Sequence, residues 1–193
     1  MKKLVVLIIC FLVALSFYLF WNSDSRSSSN QQEISLIEAI KKGGEFAQNW
    51  NPKASLIDVT SVDDPSNANP SEGADGKRKN WNMVFGDVQT GEALIINIQK
   101  GKINTSSEIK QTFKINQAIS IDSIKIDSPD VLATAKNMFD LQPGTDWAIG
   151  YHFLLTRDNI KTFIGVVGLS EGKLTKIYFD AVTGEYTGRV SNK

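Results

Sequence analysis

The spacing of apolar residues changes character along the chain. Leu4 to Trp21 is an unbroken apolar run apart from Ser16. As a helix rising about 1.5 Å per residue it is roughly 27 Å long, enough to cross a hydrocarbon core. Residues 23–32 are rich in Ser, Asn and Gln, with no period, and read as a flexible tether. From Ser35 the spacing becomes helical. Leu36, Ile37, Ile40, Phe46 and Ala47 fall on one side, Ser35 and Glu38 form a capping box, and Asn51-Pro52 close the segment. Gly43-Gly44 weaken its middle. The period then drops to two over 54–62, 81–87 and 93–99, with turns at Gln89–Glu92 and Lys100–Lys102. Residues 104–127 connect onward and add a strand. A second helix starts at Ser128-Pro129, with Val131, Leu132, Ala135, Met138 and Phe139 facing inward. Four strand-like runs follow, at 146–155, 161–169, 173–180 and 185–190.

This order predicts an α+β fold of two tandem units, each one helix packed on an antiparallel β-meander, after an N-terminal transmembrane helix. The expected bounds are a signal anchor at 1–22, a linker at 23–32, a first unit at 33–117 and a second at 118–193. The stretch from Trp81 can be laid on the stretch from Tyr151, aromatic on aromatic, as two copies of one hairpin plan. Between the first two strands, residues 62–79 hold Pro, Gly, Asn and charge, and predict a long exposed loop.

Lys2 and Lys3 precede the apolar run, so the positive-inside rule puts the N-terminus in the cytoplasm and the chain beyond Asn22 outside. Ala14-Leu15-Ser16 offers a cleavage site, and secretion after cleavage is the alternative. Cleavage there would leave Phe17–Trp21 as an exposed apolar tail, so a retained single-pass anchor is the expectation. Cys10, the sole cysteine, lies inside the run, which rules out an intramolecular disulfide and a cysteine-based zinc site. Beyond residue 30 the chain carries 18 basic and 20 acidic side chains, which argues against nucleic-acid binding.

Catalytic chemistry is hard to place. His152 is the sole histidine, and neither a triad nor a metal set assembles around it by spacing. The carboxylates Asp63, Asp64, Glu72 and Asp75 match no cation loop, and Lys77-Arg78-Lys79 reads as a solvated charge run. No catalytic residue, metal or cofactor is assigned, and no enzyme activity is expected. Trp81, Trp147, Tyr151 and His152 are candidate partner or ligand contacts, with core packing the plainer reading of the tryptophans.

One stretch carries a family likeness. Tyr178-Phe179-Asp180-Ala181, followed by Thr183-Gly184-Glu185, closes a helix-then-strands order over residues 128–190, and this resembles the PepSY family. The Ala-rich helix over 131–139 resembles that family's opening helix. A Thr-Gly-Glu also occurs at Thr90–Glu92, but not in the equivalent place. The resemblance implies a small non-enzymatic module that binds or restrains partners outside the cytoplasm. The resulting expectation is a membrane-anchored extracytoplasmic regulatory module that docks onto an envelope or secreted protein, such as a protease or sensor. The alternative is a small-ligand sensor with a groove between the two units.

Overall fold

A computed structural model describes residues 32–63, 71–146 and 148–192. The apolar run Leu4–Trp21, the tether through residue 31, and Trp147 lie outside them. Among the described residues, no helix is long and apolar enough to cross a membrane.

Helix α1 spans Leu36–Trp50 and helix α2 spans Ser128–Phe139. The strands are β1 Ser55–Val62, β2 Asn80–Gly86, β3 Glu92–Gln99, β4 Lys102–Lys110, β5 His152–Arg157, β6 Thr162–Ser170, β7 Lys173–Asp180 and β8 Tyr186–Ser191. All eight belong to one antiparallel sheet, in the order β4-β3-β2-β1-β5-β6-β7-β8. This corrects the expected fold class. There are not two separate helix-on-meander units. Two meanders meet edge to edge where β1 pairs with β5, and residues Gln32–Lys193 form one compact unit.

The period-two pattern explains the burial. Phe179, Ile164, Leu155, Val59, Met83 and Ile96 are successive register partners across six strands, and each is at most 1% exposed. They share one core with Leu36, Ala39, Ile40 and Ala47 of α1 and Val131, Leu132 and Ala135 of α2. Both helices therefore cover the same face, because one hydrophobic stripe per element must be buried somewhere and the continuous sheet offers a single floor. The helix N-termini meet. The Asp127 carboxylate accepts the N–H of Ser128 at 2.7 Å and of Ile37 at 3.0 Å, while Ser128 Oγ accepts the N–H of Leu36 at 2.9 Å. Amides left without an acceptor at both helix starts are thus satisfied by two adjacent residues, and the negative charge complements both helix dipoles.

Three local expectations change. Gly43-Gly44 do more than weaken α1. A Cβ on Gly43 would collide with Met83 Sδ, so its absence lets the helix settle onto β2. Met138 is half exposed rather than inward, since the chain reverses at Asp140 (φ 46°) and Leu141, 1% exposed, fills the core below. The proposed hairpin repeat is off by one strand. Sheet order is symmetric about the β1–β5 seam and equates β1 with β5, whereas the alignment from Trp81 equated β2 with β5.

Candidate functional site

The seam itself is short. Register pairs run through Val59–Leu155 and Thr60–Leu154. At Ser61 the ladder gives way to side chains: Phe153 N–H donates to Ser61 Oγ at 2.9 Å, and the Ser61 carbonyl faces His152 Nδ1 at 3.2 Å. Just beyond lies Arg78, with no exposed surface. Its Nη2 donates to Asp63 Oδ1 at 2.7 Å and sits 3.3 Å from His152 Nε2. Its Nη1 donates to the carbonyls of Ile149, at 3.1 Å, and Ser71. His152 Nε2 is also 3.2 Å from Asp63 Oδ1.

This cluster corrects the reading of the 62–79 loop over residues 71–79; residues 64–70, Asp64 among them, lie outside the described residues. The 71–79 segment packs against the domain: Ser71 and Lys79 are buried, and Glu72 O accepts the Tyr151 N–H at 2.7 Å. A charge run looks solvated in sequence, yet Arg78 exchanges water for a carboxylate and two carbonyls. The compensation is incomplete, for its buried Nε has no acceptor among the described residues. Asp63 and Arg78 are 15 residues apart and flank the loop, a spacing that carries no local signal.

Burial pushes the His152 ring below its ordinary pKa, and Arg78 adds to the shift while Asp63 opposes it. The neutral ring fits its neighbours. Ser61 O can only accept, so Nδ1 carries the proton, and Nε2 accepts from Arg78. Ser61, His152 and Asp63 thus assemble side by side without the order of a hydrolase triad. Ser61 lies on the Nδ1 side of the ring, its Oγ 3.2 Å from Nδ1 while accepting the Phe153 N–H, and Asp63 Oδ1 lies on the Nε2 side, where Arg78 engages it. Among the described residues no group of His, Cys, Asp and Glu could hold a metal ion.

Of Trp81, Tyr151 and His152, the candidate contacts among the described residues, His152 borders open space. It lines a cleft of about 350 Å³ with Thr60, Val62, Asp63, Leu154 and Lys176. Trp81 lies in the core, fully buried, its Nε1 donating to the carbonyls of Ile34 and Arg78 at 3.2 Å and its ring stacked 6.3 Å from Phe153. Tyr151 is 4% exposed and donates to Leu141 O at 3.0 Å. Neither offers a contact surface.

The cleft opens on the sheet face away from the helices. One row of register partners crosses that face from edge to edge: Gly188, Tyr178, Gly165, Leu154, Thr60, Asn82, Asn97 and Thr105. Asn97 donates to Asn82 Oδ1 at 2.7 Å and Asn104 donates to Asn97 Oδ1 at 3.0 Å, so the amides form a cross-strand chain. One corner of the face is covered, where Phe113 packs on Ile57 and Ala93.

No family model matches the chain, and no curated protein matches it. The PepSY resemblance therefore rests on its own residues. Among solved structures, the chain is similar to the crystal structure of a "putative lipoprotein" from Clostridium difficile 630, with a TM-score of 0.58 over 79% of this chain and 91% of that one. It is a likeness of fold. At 11% identity it carries no residue roles across.

Proposed function

We propose that the chain is a non-catalytic binding module held at the outer side of a membrane, which presents the helix-free face of its sheet to an envelope or secreted protein. The observation that carries this reading is the division of the sheet. One face is sealed by both helices, and the other runs across eight strands with half-buried Leu154, Tyr178, Thr60, Asn82 and Asn97 in one row. Mixed apolar and amide surface of this kind suits a protein partner, whose interfaces combine an apolar centre with a polar rim. The Lys2-Lys3 start and the apolar run after it support an anchored or exported location. The description of the clostridial protein as a lipoprotein and the PepSY-like turn agree with that setting.

Photo-crosslinking tests it. A photoreactive amino acid at Asn82, Leu154 or Tyr178 should trap a defined partner in intact envelopes, and the same group at Lys41 on α1 should not. Equal trapping from both faces, or none from the open face, would remove this reading. The cleft beside His152 supports a second one, a small-ligand sensor. Thermal stabilisation by a small molecule that is lost in Leu154→Trp, a substitution that fills the cleft, would favour it.

A further inference from the structure

We propose that His152 is an acid-sensitive latch on the β1–β5 seam: proton uptake by its ring sets it against Arg78 for Asp63 Oδ1 and releases residues 71–79 from the end of the seam.

The latch follows from which atoms can donate. With a neutral ring, the two N–H bonds of Arg78 Nη2 serve two acceptors, Asp63 Oδ1 at 2.7 Å and His152 Nε2 at 3.3 Å. Those acceptors lie 3.2 Å apart and are held together by the shared donor. Adding a proton to Nε2 turns an acceptor into a donor. The imidazolium can then bond Asp63 Oδ1 directly, and Arg78 loses one acceptor and faces a second cation at the same short distance. Arg78 is poorly placed to absorb this, being wholly buried with no acceptor for its Nε among the described residues. An uncompensated buried charge is expensive, and the least costly relief is to return the guanidinium to water.

That relief has structural consequences. Arg78 ties the 71–79 segment to Ile149 and to the end of β1, and the same segment holds Tyr151 through Glu72 O. Its departure would widen the cleft beside His152 at the point where the seam has no main-chain ladder. Among the described residues, the charged groups around the ring are Asp63 from the end of β1, Arg78 from the 71–79 segment and Lys176 from β7 across the cleft. Glu33 acts on Arg78 from the approach to α1. The neighbours from β6 and the β5 lead-in, Val167 and Ala148, are apolar.

The sign is consistent. Burial and Arg78 hold the ring below its ordinary value of 6.5 in the closed form. The open form, with the ring in water, binds the proton at higher pH. Opening is therefore favoured progressively as pH falls below 6.5, and the effect levels off only below the closed-form value.

A chain with one histidine makes the test direct. The ring Cε1–H signal of the full chain in mild detergent is followed by NMR between pH 8 and pH 4.5, alongside amide exchange. The expected ring titration lies below pH 6.5. Protection factors at Arg78, Tyr151 and Phe153 should fall by at least about tenfold between pH 7.5 and pH 5, with Ile164 and Phe179 unchanged. His152→Gln, neutral at every pH, should flatten that dependence. An unshifted ring, protection that ignores pH, equal loss at all five amides, or an unchanged pH response in His152→Gln would each overturn the latch. Where the Gln variant does not fold, the contrast among the five native amides still decides.

Discussion

Two turns at the same end of the sheet share one six-residue pattern. Asp87-Val88-Gln89-Thr90-Gly91-Glu92 joins β2 to β3, and Asp180-Ala181-Val182-Thr183-Gly184-Glu185 joins β7 to β8. Asp87 Oδ1 accepts the N–H of Gln89 at 2.8 Å and Thr90 at 3.3 Å; Asp180 Oδ1 accepts that of Val182 at 2.9 Å and Thr183 at 3.2 Å. Gly91 and Gly184 donate to the carbonyls of Asp87 and Asp180, with φ of 72° and 76°. The second carried a family resemblance and the first did not, yet they are built alike. The Asp, Thr and Gly of that motif are thus explained by the backbone they close. The turns differ in their surroundings. A Cβ on Gly184 would stand 3.3 Å from Ile126 and Asp180 pairs with Lys161 at 3.2 Å, whereas a Cβ on Gly91 would meet Gln111 and Thr112 at ordinary contact distance, 3.7 Å or more, and Asp87 meets the Asn51 amide at 3.4 Å.

Those differences set the order of expected effects. Gly184→Val should be the most damaging, at about 2–3 kcal/mol, because it combines a left-handed backbone with crowding against Ile126. Gly91→Val meets the backbone penalty with only ordinary contacts to Gln111 and Thr112, and should cost about 1–2 kcal/mol. Equal losses in denaturant titrations would mean the Ile126 contact is immaterial. Asp180→Ala should lose about 1–2 kcal/mol through its missing turn bonds. Asp87→Ala should lose slightly less, and the gap should close in 1 M salt, since Lys161 is half exposed and its ion pair is screened. A gap that persists in salt would locate the difference in packing.

The smallest effect concerns acid. Turn amides, those of Gln89 and Val182 foremost, hold both carboxylates below their ordinary pKa of 3.8. Asp158, in the β5–β6 turn, is held down in the same way by Lys161 and Ile160 N–H. A depressed folded pKa contributes stability that is complete above the unfolded value and lost as pH falls through the folded one. Stability should therefore decline as pH drops below 3.8, and Asp87→Asn and Asp180→Asn should each blunt that decline while keeping an acceptor. An unaltered acid profile in both variants would show that these carboxylates are not linked to folding.

Much of the local structure was legible. Ser35 and Glu38 form the capping box as spaced, Asn51 caps the end of α1, and the alternating runs became strands, except that the run expected at 146–155 yields a strand only from His152, after Gly150 at φ 77°. Each depends on contacts within a few residues or on a face that must be dry, which a short window contains. The candidate site was mostly illegible. His152 was visible as the lone histidine, but its partners Ser61, Asp63 and Arg78 lie 91, 89 and 74 positions away. No window includes them, and the composition around Arg78 pointed to solvent.

The amino-acid sequence by itself determined the caps, the turns, the strand count within each half and, Met138 of α2 excepted, the stripe each element must bury. Those properties come from backbone sterics and local hydrogen bonds, which operate at any point along a chain. Tertiary structure alone decided that β1 and β5, two strands equally able to serve as edges, would pair and turn two meanders into one sheet. It also decided that Arg78 would be buried at the end of that seam. Edge strands present the same unpaired amides and carbonyls to any neighbour. Which edge is chosen depends on the shared core beneath Val59 and Leu155, which exists only once both halves are in place.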